Sequence, residues 1–112
     1  MEVTTVSDYL GKVKIKQVLN SVNCGSWINA NFDMWIGDPT KNIAWDYVNR
    51  TKEDFSIAVK NSDYSEEQLN KAQKELMLAQ GSDWFWWYGE PNNSGKDEVF
   101  DYLYREHLKN VY

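Results

Sequence analysis

The stretch GSDWFWWYG, residues 81–89, places one carboxylate, Asp83, directly before five large rings. The faces of a pyranose ring carry C–H groups and are apolar, whereas its rim carries hydroxyl groups. A site for sugars therefore combines flat aromatic side chains with Asp, Asn or Glu. The stretch thus predicts a carboxylate that binds sugar hydroxyls beside rings that stack on sugar faces. Asp83 could alternatively cap a short helical turn over 84–88, and one carboxylate can serve both roles.

Three indoles of this stretch, Trp84, Trp86 and Trp87, compete for space in a chain of only 112 residues. Five adjacent rings are more than one face of a helix or strand can hide. We therefore expect one or two of the indoles to pack inside. At least one should face outward, against a ligand or a second layer of protein.

A second polar and aromatic pattern lies at residues 27–36, where apolar residues alternate strictly with the others. The alternation is typical of a strand. Because no second strong strand is visible to pair with it, we favour an irregular, partly extended segment. If the segment is extended, one edge carries Trp27, Asn29, Asn31, Asp33 and Trp35. That edge is either a binding surface or an ordinary solvated strand face.

Other catalytic arrangements are missing from the sequence. The single histidine, His107, and the single cysteine, Cys24, cannot build a zinc site, and no Gly-rich phosphate loop is visible. We expect His107 to be packed and hydrogen-bonded, and Cys24 to be a small buried apolar residue. No metal or cofactor is expected.

The composition narrows the class of partner. A net charge of −5 argues against nucleic acid. No apolar run approaches the roughly 18 residues of a membrane span, and the amino terminus does not resemble a signal peptide. One cysteine allows no internal disulfide, which fits a cytoplasmic setting. An aromatic content of 15% favours sugars or a protein face as the partner.

The sequence predicts a mainly α fold in one domain over residues 1–112, with three main helices and a long irregular N-terminal segment. Asp38 and Pro39 begin the first main helix, and Ser65 with Gln68 forms a capping box for the second. The three helices are predicted at about 39–60, 65–80 and 96–111, and we expect them to form a bundle.

The segments between and before these helices are less regular. A short helix is predicted over 4–10, with Gly11 as its left-handed end, and Gly81 is expected to end the second main helix in the same way. Val13 and Ile15 suggest a short extended piece. The words WIGDP (35–39) and WYGEP (87–91) share the pattern W-x-G-acid-P, which similar turns explain without duplication.

Several Trp-rich words of this chain, in the same order, resemble glycoside hydrolase family 57, most closely its α-amylase and amylopullulanase branch. The words are GSWI with FDMWIG, NIAWDYV, GSDWFWWYG and DEVFDYLYREHLKNVY. The resemblance implies a retaining hydrolase of α-glucans, in which a distorted (β/α)7 barrel is followed by a helical region. By position, it implies that Asp83 contacts substrate, that Trp84, Trp86 and Trp27 line the site, and that Ser82 supports the turn.

The resemblance also implies what this chain does not hold. The family's nucleophilic Glu and acid Asp belong to motifs upstream of anything present here. The chain is therefore expected to be the C-terminal helical part of such an enzyme, to act with the barrel in cis or in trans, and to be inactive alone. The alternatives are a stand-alone α-glucan-binding module and an interaction domain that self-associates as a homo-oligomer.

Overall fold

The computed structural model describes residues 3–14, 18–61 and 63–112. The helices of these ranges are α1 (Val6–Lys12), α2 (Pro39–Ala58), α3 (Glu66–Ala79), α4 (Ser82–Trp87) and α5 (Asp97–Lys109). No strand occurs in the described ranges. The predicted mainly α fold with three main helices is confirmed, and each main helix lies within two residues of its predicted bounds.

The core lies between α2, α3 and α5, which pack on one another, with α4 against α5. Its buried residues are Ala44, Val48, Ala79, Phe85, Tyr88, Tyr104 and Leu108. The hydroxyl of Tyr104 donates to the carbonyl of Ala44 at 2.6 Å and so joins α5 to α2. A buried phenol needs such a partner, because a polar group without one destabilises the core.

The predicted starts of α2 and α3 are confirmed. Each could be predicted because a helix cap depends on residues that are neighbours in the sequence. The carboxylate of Asp38 accepts from the amides of Thr40 and Lys41. Ser65 and Gln68 form the reciprocal pair of a capping box. These contacts satisfy amides that the first helical turn leaves without an intrahelical partner.

The predicted apolar stripes are too wide. Helical spacing predicts that Ile43 and Tyr47 widen the apolar stripe of α2 and that Leu103 belongs to that of α5, but all three side chains are exposed. In α2 the buried residues Ala44, Val48 and Thr51 form a narrow stripe. Of the main helices, α2 packs chiefly on α3 and α5, so its inner face is narrow.

The N-terminal part differs from the prediction in detail. Thr5 caps α1 as expected, but the helix continues through Gly11 to Lys12 and does not end at the glycine. Cys24 is exposed and not buried. Ile15, and with it the centre of the predicted extended piece, lies outside the described residues.

Every described residue before Gly25 is exposed, so this segment adds nothing to the core. The radius of gyration is 18.7 Å, compared with about 13 Å for a compact domain of about 100 residues. The predicted long N-terminal segment without regular packing is therefore present.

Gly81 does not end α3 in a left-handed conformation. Its φ is −58°, and it is the residue that precedes α4, while Gln80 ends α3. The chain therefore passes from α3 into α4 almost without a loop. This short connection brings the aromatic run directly back onto the bundle.

Candidate functional site

The six residues of α4 divide the aromatic run between two faces. Successive residues of a helix are turned by about 100°, so positions three and four apart share a face. Phe85 is 0% exposed and Trp84 and the following Tyr88 lie beside it in or against the core. Trp86 and Trp87 lie on the other side of the helix. The run is thus accommodated by an amphipathic turn of helix.

The inner rings pack in detail. Phe85 stacks on Trp45 of α2, with 3.6 Å between ring centroids and 5° between ring planes. Trp84 contacts Phe100 and Tyr104, at 4.8 and 5.6 Å between centroids. Its indole N–H donates to the carbonyl of Leu78 at 2.8 Å. The resemblance implies that Trp84 lines a substrate site. In the structure, Trp84 packs against the helical bundle instead.

The outer face of α4 carries an aromatic surface that involves a distant part of the chain. Trp27 stacks on Trp86 with 6.3 Å between centroids and 10° between planes. Trp35 lies on Trp86 at 5.6 Å and 59°. We call Trp27, Trp35 and Trp86 the indole cluster. Trp27 remains 82% exposed, so one face of this cluster is open.

Trp27 and Trp35 belong to residues 25–37, which we call the tryptophan loop. The loop is a series of turns, in agreement with the expected irregular segment. Near the start of the loop, the backbone amide of Ser26 donates to the carbonyl of Asn31, and the backbone amide of Asn31 donates to the carbonyl of Ile28. A Cβ on Gly25 would overlap the carbonyl of Ala30, so this close approach requires glycine.

The single edge expected for an extended segment does not form. Asn31 donates its side-chain amide to the carboxylate of Asp33 at 2.9 Å and accepts the amide of Asp33 at 3.2 Å. These two polar side chains therefore close a turn on one another. The loop brings together only the indoles of the predicted edge, which both contact Trp86.

Asp83 lies on the outer face of α4, at helical positions three and four before Trp86 and Trp87. Its side chain is exposed, and it makes no hydrogen bond or ion pair with any residue in the described ranges. Gly81, not Asp83, is the cap residue of α4. Ser82, the first residue of α4, is also exposed. Both carboxylate oxygens of Asp83 are thus available on the side of the helix that carries the indole cluster.

His107 is packed and hydrogen-bonded, as expected. Its Nδ1 lies 2.8 Å from a carboxylate oxygen of Glu75, and its ring lies 5.6 Å from that of Trp84. The hydrogen bond from His107 lowers the pKa of Glu75. The contact joins α5 to α3.

Sequence reasoning missed Lys41, which is 0% exposed. Its ammonium group donates to the carbonyl of Met34 at 2.7 Å. Burial lowers the pKa of Lys41, while the nearby carboxylates of Asp38 and Glu90 act in the opposite direction. A usable signal was its place four residues before Trp45, on the same helical face as a residue of the core.

Neither a metal site nor a membrane-spanning helix is supported by the described part of the chain. No group of three or more histidine, cysteine, aspartate or glutamate side chains is arranged there to hold a metal ion. None of the helices described above has the length and apolar character needed to cross a membrane.

The chain matches no protein-family model, no curated protein and no solved structure with which it was compared.

Proposed function

We propose that this chain is the helical part of an α-glucan-active retaining glycoside hydrolase, and that it supplies substrate-binding residues but no catalytic pair. The observation that carries the proposal is the parallel stack of Trp27 on Trp86, which is open on one side. The carboxylate of Asp83 lies on the same face of α4 as Trp86, is exposed and has no hydrogen-bond partner among the described residues. Three of the words that resemble family 57, GSWI, FDMWIG and GSDWFWWYG, lie in the two segments that form this surface.

The chemistry of the surface suits glucose rings. An exposed indole offers a flat apolar face for the C–H groups of a pyranose, and a free carboxylate accepts hydrogen bonds from hydroxyl groups. The net charge of −5 disfavours phosphorylated ligands. A neutral oligosaccharide is therefore the ligand class that best fits the indole cluster with Asp83.

The catalytic barrel, in cis or in trans, is the proposed second wall of the site. Trp27 is 82% exposed, so the fold of this chain buries little of its apolar surface. Contact with a barrel would bury it and place the sugar between the two surfaces. The same exposure also suits an α-glucan-binding module that acts alone, which is the second candidate.

Titration of the purified chain with maltoheptaose, followed by calorimetry and tryptophan fluorescence, tests the proposed surface. We expect Trp86→Ala and Trp27→Ala to weaken binding about tenfold, since each removes a stacking ring. Asp83→Ala should weaken it several-fold while changing the free energy of unfolding by less than about 0.5 kcal/mol, because the side chain is exposed and unpaired.

Tyr102→Ala is the matched control, because it removes an exposed ring from α5 and should leave binding unchanged. A wild-type chain that shows no response to millimolar maltoheptaose would contradict the proposed surface. Light scattering then tests the remaining alternative, an interaction domain that self-associates. Self-association that disappears in Trp27→Ala would identify the indole cluster as an interface between copies of the chain.

A further inference from the structure

The tryptophan loop is held by two side chains of α2 that bind consecutive carbonyl groups. Lys41 donates to the carbonyl of Met34 at 2.7 Å, and the indole N–H of Trp45 donates to that of Trp35 at 2.9 Å. Lys41 and Trp45 are four residues apart and so lie on the same helical face. The loop backbone therefore rests on α2 at two neighbouring points.

A third contact joins the same part of the loop to α4. The side-chain amide of Asn92 lies 3.0 Å from the sulfur of Met34 and donates to the carbonyl of Trp86 at 3.1 Å. Met34 is thus held from α2 through its carbonyl and from the end of α4 through its sulfur. The two indole-bearing segments share this residue as an anchor.

The two W-x-G-acid-P words meet beside Lys41. The carboxylate of Asp38, from the first word, lies against the backbone of the second word at Gly89 and Glu90. Gly89 has a φ of +58°, and a Cβ there would overlap the carboxylate of Asp38. The second word therefore needs its glycine for conformation and for space. The carboxylates of both words act on Lys41.

We propose that Lys41 and Trp45 are positioning residues that hold the tryptophan loop on α2 so that Trp27 and Trp35 meet Trp86. A buried ammonium group is costly unless it is paired and hydrogen-bonded, and an apolar side chain would fill the same space without that cost. What the ammonium adds is a directional bond to the loop backbone. As far as it concerns sugar binding, this inference rests on the proposed function.

Stacked indoles give an exciton couplet in circular dichroism, which reports the Trp27–Trp86 geometry without any ligand. Trp27→Phe provides the spectrum of a protein that lacks the Trp27–Trp86 pair and keeps Trp35 beside Trp86, so the difference from the wild type is the signal of the Trp27–Trp86 pair. We expect Lys41→Met to lose most of the couplet while keeping the helical signal, and to bind maltoheptaose about tenfold more weakly, because the site is no longer preorganised. Lys41→Arg keeps a hydrogen-bond donor and should retain part of the couplet and part of the affinity for maltoheptaose.

Trp45→Phe is the second variant, since it removes the indole N–H and keeps a ring to pack on Phe85. It should reduce the couplet and weaken binding about threefold. If Lys41→Met does not fold, the couplet of Trp45→Phe alone tests the proposal. An unchanged couplet in the variants that do fold overturns it. If the wild type shows the couplet but no maltoheptaose binding, the proposed function fails, while the couplet still tests the positioning role.

Discussion

Two neighbouring residues of the tryptophan loop, Asn29 and Ala30, have φ values of +53° and +52°. Asparagine adopts this left-handed region more readily than most residues, whereas alanine is disfavoured there because its Cβ approaches the following carbonyl. The strained Ala30 lies three residues after Trp27. The strain persists because the hydrogen bonds of Ser26 and Asn31 close the turn on either side.

Ala30→Gly is therefore expected to stabilise the protein. Glycine removes the steric cost of the positive φ, and its greater freedom in the unfolded chain offsets part of the gain. We expect the free energy of unfolding in urea to rise by about 0.5–1 kcal/mol. Ala72→Gly, inside α3, should lower it by about 1 kcal/mol. A decrease for both variants would show that Ala30 is not strained.

At the scale of the element, the amino terminus of α2 combines two functions. Asp38 caps the helix through the amides of Thr40 and Lys41, and its carboxylate also lies against the turn after α4, at Gly89 and Glu90. Burial of Asp38 on its own raises the pKa of its carboxyl, but these amide hydrogen bonds outweigh burial and the pKa is lowered from 3.8. The charged form is thus bound more favourably in the folded state.

The sign of the pH dependence follows from this lowered pKa. The contribution of Asp38 to stability is present above pH 3.8, its ordinary value, and is lost as the pH falls through the lower pKa of the folded state. We expect wild-type urea midpoints to decrease more steeply below about pH 4 than those of Asp38→Asn, which keeps a capping side chain that does not titrate. Parallel curves for the two proteins would contradict the assignment.

At the scale of the whole molecule, a helical bundle supports a loop that has little core of its own. The packing of α2, α3, α4 and α5 is formed by residues after Gly25, and the tryptophan loop is attached to this base by side chains of α2 and by Asn92. The result is a helical base that carries an open aromatic surface. Such an arrangement suits a binding surface that a second layer of protein completes.

Under the proposed function, the isolated chain should not hydrolyse pullulan or starch. Retention requires two carboxyl groups about 5–5.5 Å apart across the scissile bond, and the resemblance assigns both to the barrel. Reducing-sugar assays on the pure chain should therefore equal the buffer blank. Sugar release that disappears in Asp83→Ala would show that the chain itself is catalytic. A barrel supplied in trans is the matching positive test.

The sequence by itself determined the three main helices and their starts. Asp38 with Pro39 and Ser65 with Gln68 act within one helical turn, so their effect depends on neighbouring residues alone. It also showed that the aromatic run could not be buried on one side. The glycine signals failed because Gly11 and Gly81 permit a left-handed end without requiring one.

Only the tertiary structure decided which rings face inward and what they meet. Trp84 and Trp86 are the same residue type in the same short helix, but Trp84 packs on Phe100 of α5, whereas Trp86 stacks on Trp27, a residue far away in the chain. Lys41 shares a helical face with Trp45, but that spacing does not show that a loop will cover its ammonium group. Capping is a short-range interaction that a sequence window contains, whereas ring stacking and the burial of a charge depend on contacts between segments that only the folded chain brings together.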